Sequence, residues 1–235
     1  MKKLSVLLVA AVLTVSCLMP AAAQAIEASA DAYVGVYSSY IWRGFNLSED
    51  DAFVVQPGAD VSIGGFTASW WGNMSENSGE LNEVDLTLDY TLGVTDMISV
   101  SIGNILYDVD IDGEPDTTNE LYLGVAVDTL LAPALTVYVD YDEFETVYVT
   151  LGGSHGFDIQ EGLSLGLGAN LGFFADDGAD DSFLHNLEIS ASADYALTEQ
   201  IALGAMVLAS FPISDEADDL IDDEVTAGVS ATFAF

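Results

Sequence analysis

The sequence predicts an all-β chain, a twelve-stranded antiparallel up-and-down barrel that spans a membrane. Three observations predict it. Apolar side chains alternate with small or polar ones over twelve segments, the two-residue period of a strand. The connections between segments are alternately short and long, with the one around Glu143 to Glu145 the exception in length. The final segment runs to the last residue and stops on an aromatic, Phe235.

The first segment, Ser29 to Arg43, sets Ala32, Val34, Val36, Tyr40 and Trp42 against Asp31, Tyr33, Tyr37, Ser39 and Arg43. The second, Phe53 to Ile63, sets Phe53, Val55, Ala59, Val61 and Ile63 against Gln56, Gly58, Asp60 and Ser62. Phe66 to Met74 is the third. The fourth, Leu81 to Leu92, is the cleanest: Val84, Leu86, Leu88, Tyr90 and Leu92 against Glu83, Asp85, Thr87, Asp89 and Thr91. Met97 to Asp108 and Asn119 to Asp128 follow, then Ala134 to Asp142 and Thr146 to Ser154. In Leu163 to Phe173 leucines oppose Ser164, Gly166, Gly168, Asn170 and Gly172, a parity too small for a solvent face but suited to a narrow interior. Asn186 to Leu197, Ile201 to Phe211 and Glu224 to Phe235 complete the set. Most have roughly the 9–11 residues a tilted spanning strand requires. A soluble β-sandwich would also alternate, but with shorter strands.

No Asp, Glu or Arg is read at the apolar parity of these segments, as hydrocarbon contact demands. The opposite parity carries Asp31, Asp60, Glu83, Asp85, Asp89, Asp140, Glu188 and Asp194, which are expected to line a pore. Short connections fall at Gly64-Gly65, 93–96, 129–133, 155–162 and 198–200. Longer, mostly acidic ones fall at 44–52, 75–80, 109–118, 175–185 and 212–223. Short periplasmic turns and long external loops are the two ends of a bacterial outer-membrane barrel. The terminal strand ending on Phe235 looks like the signal such barrels offer to the barrel assembly machinery. Outer-membrane lipid is the other expected partner.

Lys2 and Lys3, the apolar run Leu4 to Met19 and the small residues of Ala23-Gln24-Ala25 read as a secretory signal peptide, residues 1–25, with the barrel domain at 26–235. The sole Cys, Cys17, falls in that signal, so no internal disulfide is expected. Beyond the signal, Arg43 is the one Lys or Arg facing 39 acidic residues. Nucleic acid is excluded as a partner, since nothing would neutralise its phosphates. Acidic walls favour passage of cations.

Arg43 lies by parity at the inward face near the first external loop. Its expected task is a bidentate pair with a lumen carboxylate, as a structural lock or as a pore constriction or ligand contact. Tyr40 and Trp42 suit an aromatic girdle at the lipid interface. The stretch Ser38-Ser39-Tyr40-Ile41-Trp42-Arg43-Gly44-Phe45-Asn46-Leu47-Ser48 carries the pattern Ser-x-Tyr-x-x-Arg-Gly-x-x-x-Ser. Gln56-Pro57-Gly58-Ala59-Asp60, Gly65-Phe66, Trp71-Gly72-Asn73 and Glu83-Val84-Asp85-Leu86 accompany it. Over Tyr37 to Tyr90 the chain thereby resembles the TorF-like putative porins of proteobacterial outer membranes. That resemblance implies an outer-membrane barrel with channel activity, and no catalytic residues.

Asp108-x-Asp110-x-Asp112-Gly113 has the opening spacing of a calcium loop. It then departs from one, with Asn119 at position twelve, Glu120 one residue late and Pro115 between. Asp108, Asp110 and Asp112 are the candidate ligands of a Ca2+ or Mg2+ ion; otherwise this is a solvated acidic loop. His155 and His185 fall at opposite membrane ends without a catalytic motif, so no enzyme is expected. The functional expectation is passive diffusion of small solutes through a cation-preferring pore. The alternatives are a non-transporting structural or adhesion barrel with a plugged lumen and, further off, an outer-membrane hydrolase.

Overall fold

The computed structural model describes residues 28–48, 52–77, 79–111, 114–175 and 182–235; residues 1–25, the expected signal, and Asp112 lie outside these. The first elements are β1 (Ala28–Tyr37), β2 (Ile41–Trp42), β3 (Phe45–Asn46), β4 (Val54–Ile63), β5 (Phe66–Ser75), β6 (Leu81–Gly93) and β7 (Ile98–Ile111). Then come β8 (Glu114–Val127), β9 (Ala134–Asp140), β10 (Val147–Gln160), β11 (Leu163–Ala175), β12 (Ser182–Ala196), β13 (Ile201–Pro212), a one-turn helix α1 (Asp215–Asp218) and β14 (Glu224–Ala234). Strands β1 and β4 to β14 close an antiparallel barrel in which each strand pairs with its neighbours in sequence, β14 with β1. Closure leaves no long unpaired edge, the condition hydrocarbon imposes on a sheet.

The two faces divide as the alternation predicts. On β14, Val225 and Val229 are each 61% exposed, whereas Thr226 between them is 5% exposed. Leu86, Leu88 and Tyr90 on β6 and Leu165, Leu167 and Leu171 on β11 belong to the same outward apolar band. Asp108 is the exception to the expected charge-free parity, and it marks the upper limit of the band. It falls on the outward parity of β7, opposite Val84 and beyond the Leu86↔Leu106 pair, and it is exposed.

Four further features differ from the expectation. First, β1 ends at Tyr37 instead of running on to Arg43; residues 41–46 form their own β2–β3 hairpin. Tyr40 and Trp42 are therefore not girdle residues: Tyr40 is buried inside the barrel and Trp42 packs on Tyr107. Second, residues 109–111 and 114–118, expected in a loop, lie on strands β7 and β8. β7 and β8 stay paired through Asp108↔Thr117, Val109↔Asp116, Asp110↔Pro115 and Ile111↔Glu114. Third, β10 continues to Gln160, which shortens the turn that follows to residues 161 and 162. Fourth, β12 starts at Ser182 and carries a bulge. Leu171↔Leu187 and Phe173↔Leu184 are consecutive pairs around it, so His185 and Asn186 together face Gly172. A bulge re-aims side chains; here both His185 and Asn186 are fully buried.

Candidate functional site

The barrel interior is crossed near its external end by the β2–β3 hairpin, and the residues of the Ser-x-Tyr-x-x-Arg-Gly-x-x-x-Ser pattern build it. Its base is tied to β14: Ser38 N–H donates to the Ala227 carbonyl (2.8 Å), and the Thr226 hydroxyl donates to the Ser39 carbonyl (2.8 Å). Tyr40 N–H donates to Ser48 Oγ (2.6 Å), and Leu47 N–H donates to the Tyr40 carbonyl (2.8 Å), which closes the neck. The tip is a two-residue turn. Arg43 (φ 52°) and Gly44 (φ 89°) both take positive φ, as the tight turns that suit β-hairpins require. Gly44 meets that demand without strain, and a Cβ there would run into Ile221 of the last external loop. For Arg43 the same conformation costs about 1–3 kcal/mol, so contacts made by its side chain must offset it.

They do so on the far wall. Arg43 Nη1 and Nη2 donate to Glu120 Oε1 and Oε2 on β8, each at 2.7 Å, the parallel fork that fits guanidinium to carboxylate. Three rings surround the guanidinium: Trp42 at 4.3 Å, Tyr148 at 4.5 Å and Tyr138 at 4.7 Å from Cζ to the ring centroid. Tyr107 donates its hydroxyl to Glu120 Oε2 (2.8 Å), so the carboxylate is held from behind. Burial opposes the charge on Arg43, but the hydrogen bonds and the charge of Glu120 outweigh it, and its pKa stands above the ordinary value. The guanidinium is a permanent cation.

Other walls grip the hairpin's flanks. Tyr40 packs at a tilt against Trp71 (5.4 Å between centroids) and donates its hydroxyl to Glu83 Oε1 (3.3 Å). Burial, with the Glu83 and Asp85 carboxylates adding to it, pushes the Tyr40 phenol above its usual range. Phe45 lies against the His185 ring (5.3 Å), which also meets Phe174, Phe183 and Tyr148. His185 Nε2 is 3.0 Å from the Arg43 carbonyl, which accepts only; Nε2 therefore carries the proton and donates. Its Nδ1 is buried with no partner. Between hairpin and wall is a cavity of about 550 Å³, bordered by Trp42, Glu83, Val109, Asp140, Phe144 and Tyr148 among others.

The expected pore residues divide into groups. Glu83 and Asp140 flank the hairpin; Asp140 is 4% exposed and serves the β9–β10 loop, its Oδ1 accepting from the N–H groups of Asp142, Phe144 and Glu145. Asp85 follows Glu83 inward on β6, and its Oδ1 is buried without a partner. Asp89 accepts from the Tyr122 hydroxyl (2.7 Å) and Glu188 from the Asn186 amide (3.2 Å). Toward the opposite end Asp31 and Asp60 are direct cross-strand partners, and Asp194 is exposed beside Ser192. Asp108 and Asp110 lie on strand β7, and no group of three or more His, Cys, Asp or Glu among the described residues could hold a metal ion. His155 sits at the other end from His185, with Nδ1 2.7 Å from the Leu130 carbonyl.

Glu120, Tyr107, Tyr138 and Tyr148 are the site residues that sequence reasoning missed. The inward parity they share with Glu83-type positions was the available signal. It marks them as lumen-facing but does not say which of many acids takes the single Arg.

No protein-family model matches the chain, and no curated protein matches it. Solved structures do. It is similar to a NanC porin at 13% identity, covering 87% of this chain and 98% of that one, with a TM-score of 0.59. It is similar to a KdgM porin at 11% identity, covering 88% of this chain and 99% of that one, also at 0.59. The shared feature is the fold, a closed outer-membrane β-barrel.

Proposed function

We propose that the chain is a porin-like channel through which small solutes diffuse passively, with a preference for cations, and that it is of the TorF-like kind. The observation that carries the reading is electrostatic. Asp31, Asp60, Glu83, Asp85, Asp89 and Glu188 face the interior, while the one described basic side chain is already neutralised by Glu120. Acidic walls at close quarters attract cations and repel anions. The β2–β3 hairpin narrows the external half, so the solutes that pass are small. The porin-fold neighbours and the hairpin's tyrosine–arginine–glycine pattern support the same assignment. Outer-membrane lipid meets the apolar band, and the β14 strand is the segment offered to the assembly machinery.

A second reading has an observation in its favour. The hairpin is tied to both walls, which suits a plugged structural barrel. Planar-bilayer recording separates the two. A KCl gradient should give a reversal potential of cation-selective sign. Neutralising Asp85, Asp89 and Glu188 to Asn, Asn and Gln should reduce the cation-to-anion permeability ratio by about threefold or more. No conductance, or anion selectivity, overturns the proposal.

A further inference from the structure

The Arg43 cage has a peculiarity: most of it does not belong to Arg43's own hairpin. Glu120, Tyr107, Tyr138 and Tyr148 stand on β8, β7, β9 and β10. Tyr138 and Tyr148 are direct cross-strand partners with ring centroids 6.4 Å apart, so their spacing is set by the ladder. Tyr107 belongs to the wall and not to the hairpin, and it holds the Glu120 carboxylate from behind. The hairpin supplies only Trp42 and the guanidinium. The wall alone is therefore a preformed receptor: a carboxylate with both oxygens facing the lumen, between two aromatic faces that attract cations. The cavity of about 550 Å³ beside it leaves room for the body of a solute.

We propose that this wall is a binding site for guanidinium-bearing organic cations, and that Arg43 is a tethered occupant which such a solute displaces. The inference rests on the channel reading, since the solute must reach the lumen. The fork of two short bonds selects guanidinium over a point-charge ammonium. Tethering gives Arg43 an effective concentration on the order of millimolar, so a free competitor acts in that range. Displacement removes the hairpin's grip on β8 to β10. An external cation thereby loosens the constriction it is about to cross.

Methylguanidinium is the probe. By calorimetry on detergent-solubilised protein, Arg43→Ala should bind it saturably, wild type at least tenfold more weakly, and Arg43→Ala with Glu120→Gln not at all. No saturable binding to Arg43→Ala overturns the proposal, and so does equal binding to wild type, which would put the site elsewhere. A second measurement leaves Arg43 in place, in case its removal prevents folding. In Phe45→Cys, millimolar methylguanidinium should raise the rate of modification by a membrane-impermeant maleimide at least fivefold, and equimolar NaCl should not. An unchanged rate, or the same rise with NaCl, refutes displacement. Neither readout uses conductance, so failure here and failure of the channel reading are told apart.

Discussion

Replacing Glu120 with Gln tests whether the hairpin is held by its ion pair. Arg43 is the only Lys or Arg in residues 4–235, so trypsin has one site there, the Arg43–Gly44 bond. That bond is the tip of the docked hairpin: Gly44 is buried against Ile221 and Asn186, and the Arg43 side chain is 12% exposed. A protease must wait for undocking. When docking is fast relative to cleavage, the rate reports the undocked population. Removing one partner of a buried pair costs about 3–5 kcal/mol. The low end applies here, because Gln keeps one carbonyl acceptor and the three rings around the guanidinium remain. About 3 kcal/mol is roughly two orders of magnitude in population. Glu120→Gln should therefore be cut at Arg43 some hundredfold faster than wild type, into two fragments and no others, while circular dichroism stays that of a barrel. A rate within threefold of wild type would mean that the neck and flanks alone hold the hairpin, and the lock would be discarded.

Three further outcomes are expected. Tyr107→Phe deletes the 2.8 Å hydroxyl contact to Glu120; a hydrogen bond to a charged group contributes about 1.5–3 kcal/mol, so cleavage at Arg43 should accelerate by about tenfold or more in the same assay. Leu88→Arg places a charge on an outward position that is 54% exposed, and urea unfolding in lipid vesicles should show a loss of about 2–4 kcal/mol, whereas Thr87→Arg, pointing inward between Asp85 and Asp89, should lose far less. Asp31→Asn removes one of two carboxylates paired directly across β1 and β4; it should stabilise the barrel by about 0.2–1 kcal/mol at low salt, and the gain should vanish near 1 M NaCl.

The barrel was readable because hydrocarbon imposes a strict rule. Leu86, Leu88 and Tyr90 must all be apolar and all share a parity, and a one-residue slip would bury charge in lipid. The hairpin was not readable, for the same reason in reverse. Ile41–Trp42 is itself extended, so its period of two merges with that of β1, and parity alone carries Tyr40 and Trp42 onto the lipid face. Only the break at Ser38-Ser39 separates them, where polar groups turn to Thr226. The β7–β8 extension was hidden by composition. Asp and Pro are poor strand formers, yet residues 114–118 of β8 ladder with β7 alone, on a free edge where proline is tolerated. The calcium-loop spacing of Asp108 and Asp110 thus falls along strand β7.

The position of the single Arg explains why it had to be found in space. A barrel wall this acidic carries a field that any interior cation feels from many directions, and sequence gives no distances. Glu120 wins Arg43 because it alone combines reach, a fork-compatible pose and company. The turn's positive φ sets Arg43 at the hairpin tip, the Tyr138 and Tyr148 rings both lie against its guanidinium, and Tyr107 fixes the carboxylate beside them. Glu83 lies nearer the hairpin's neck but is already engaged by Tyr40. In the proposed cation-preferring channel this joins the constriction to the selectivity. The residue at the tip of the hairpin that narrows the lumen is the only Lys or Arg among the described residues, and its pairing with Glu120 would leave Asp85, Asp89 and Glu188 to set the field along the path beneath.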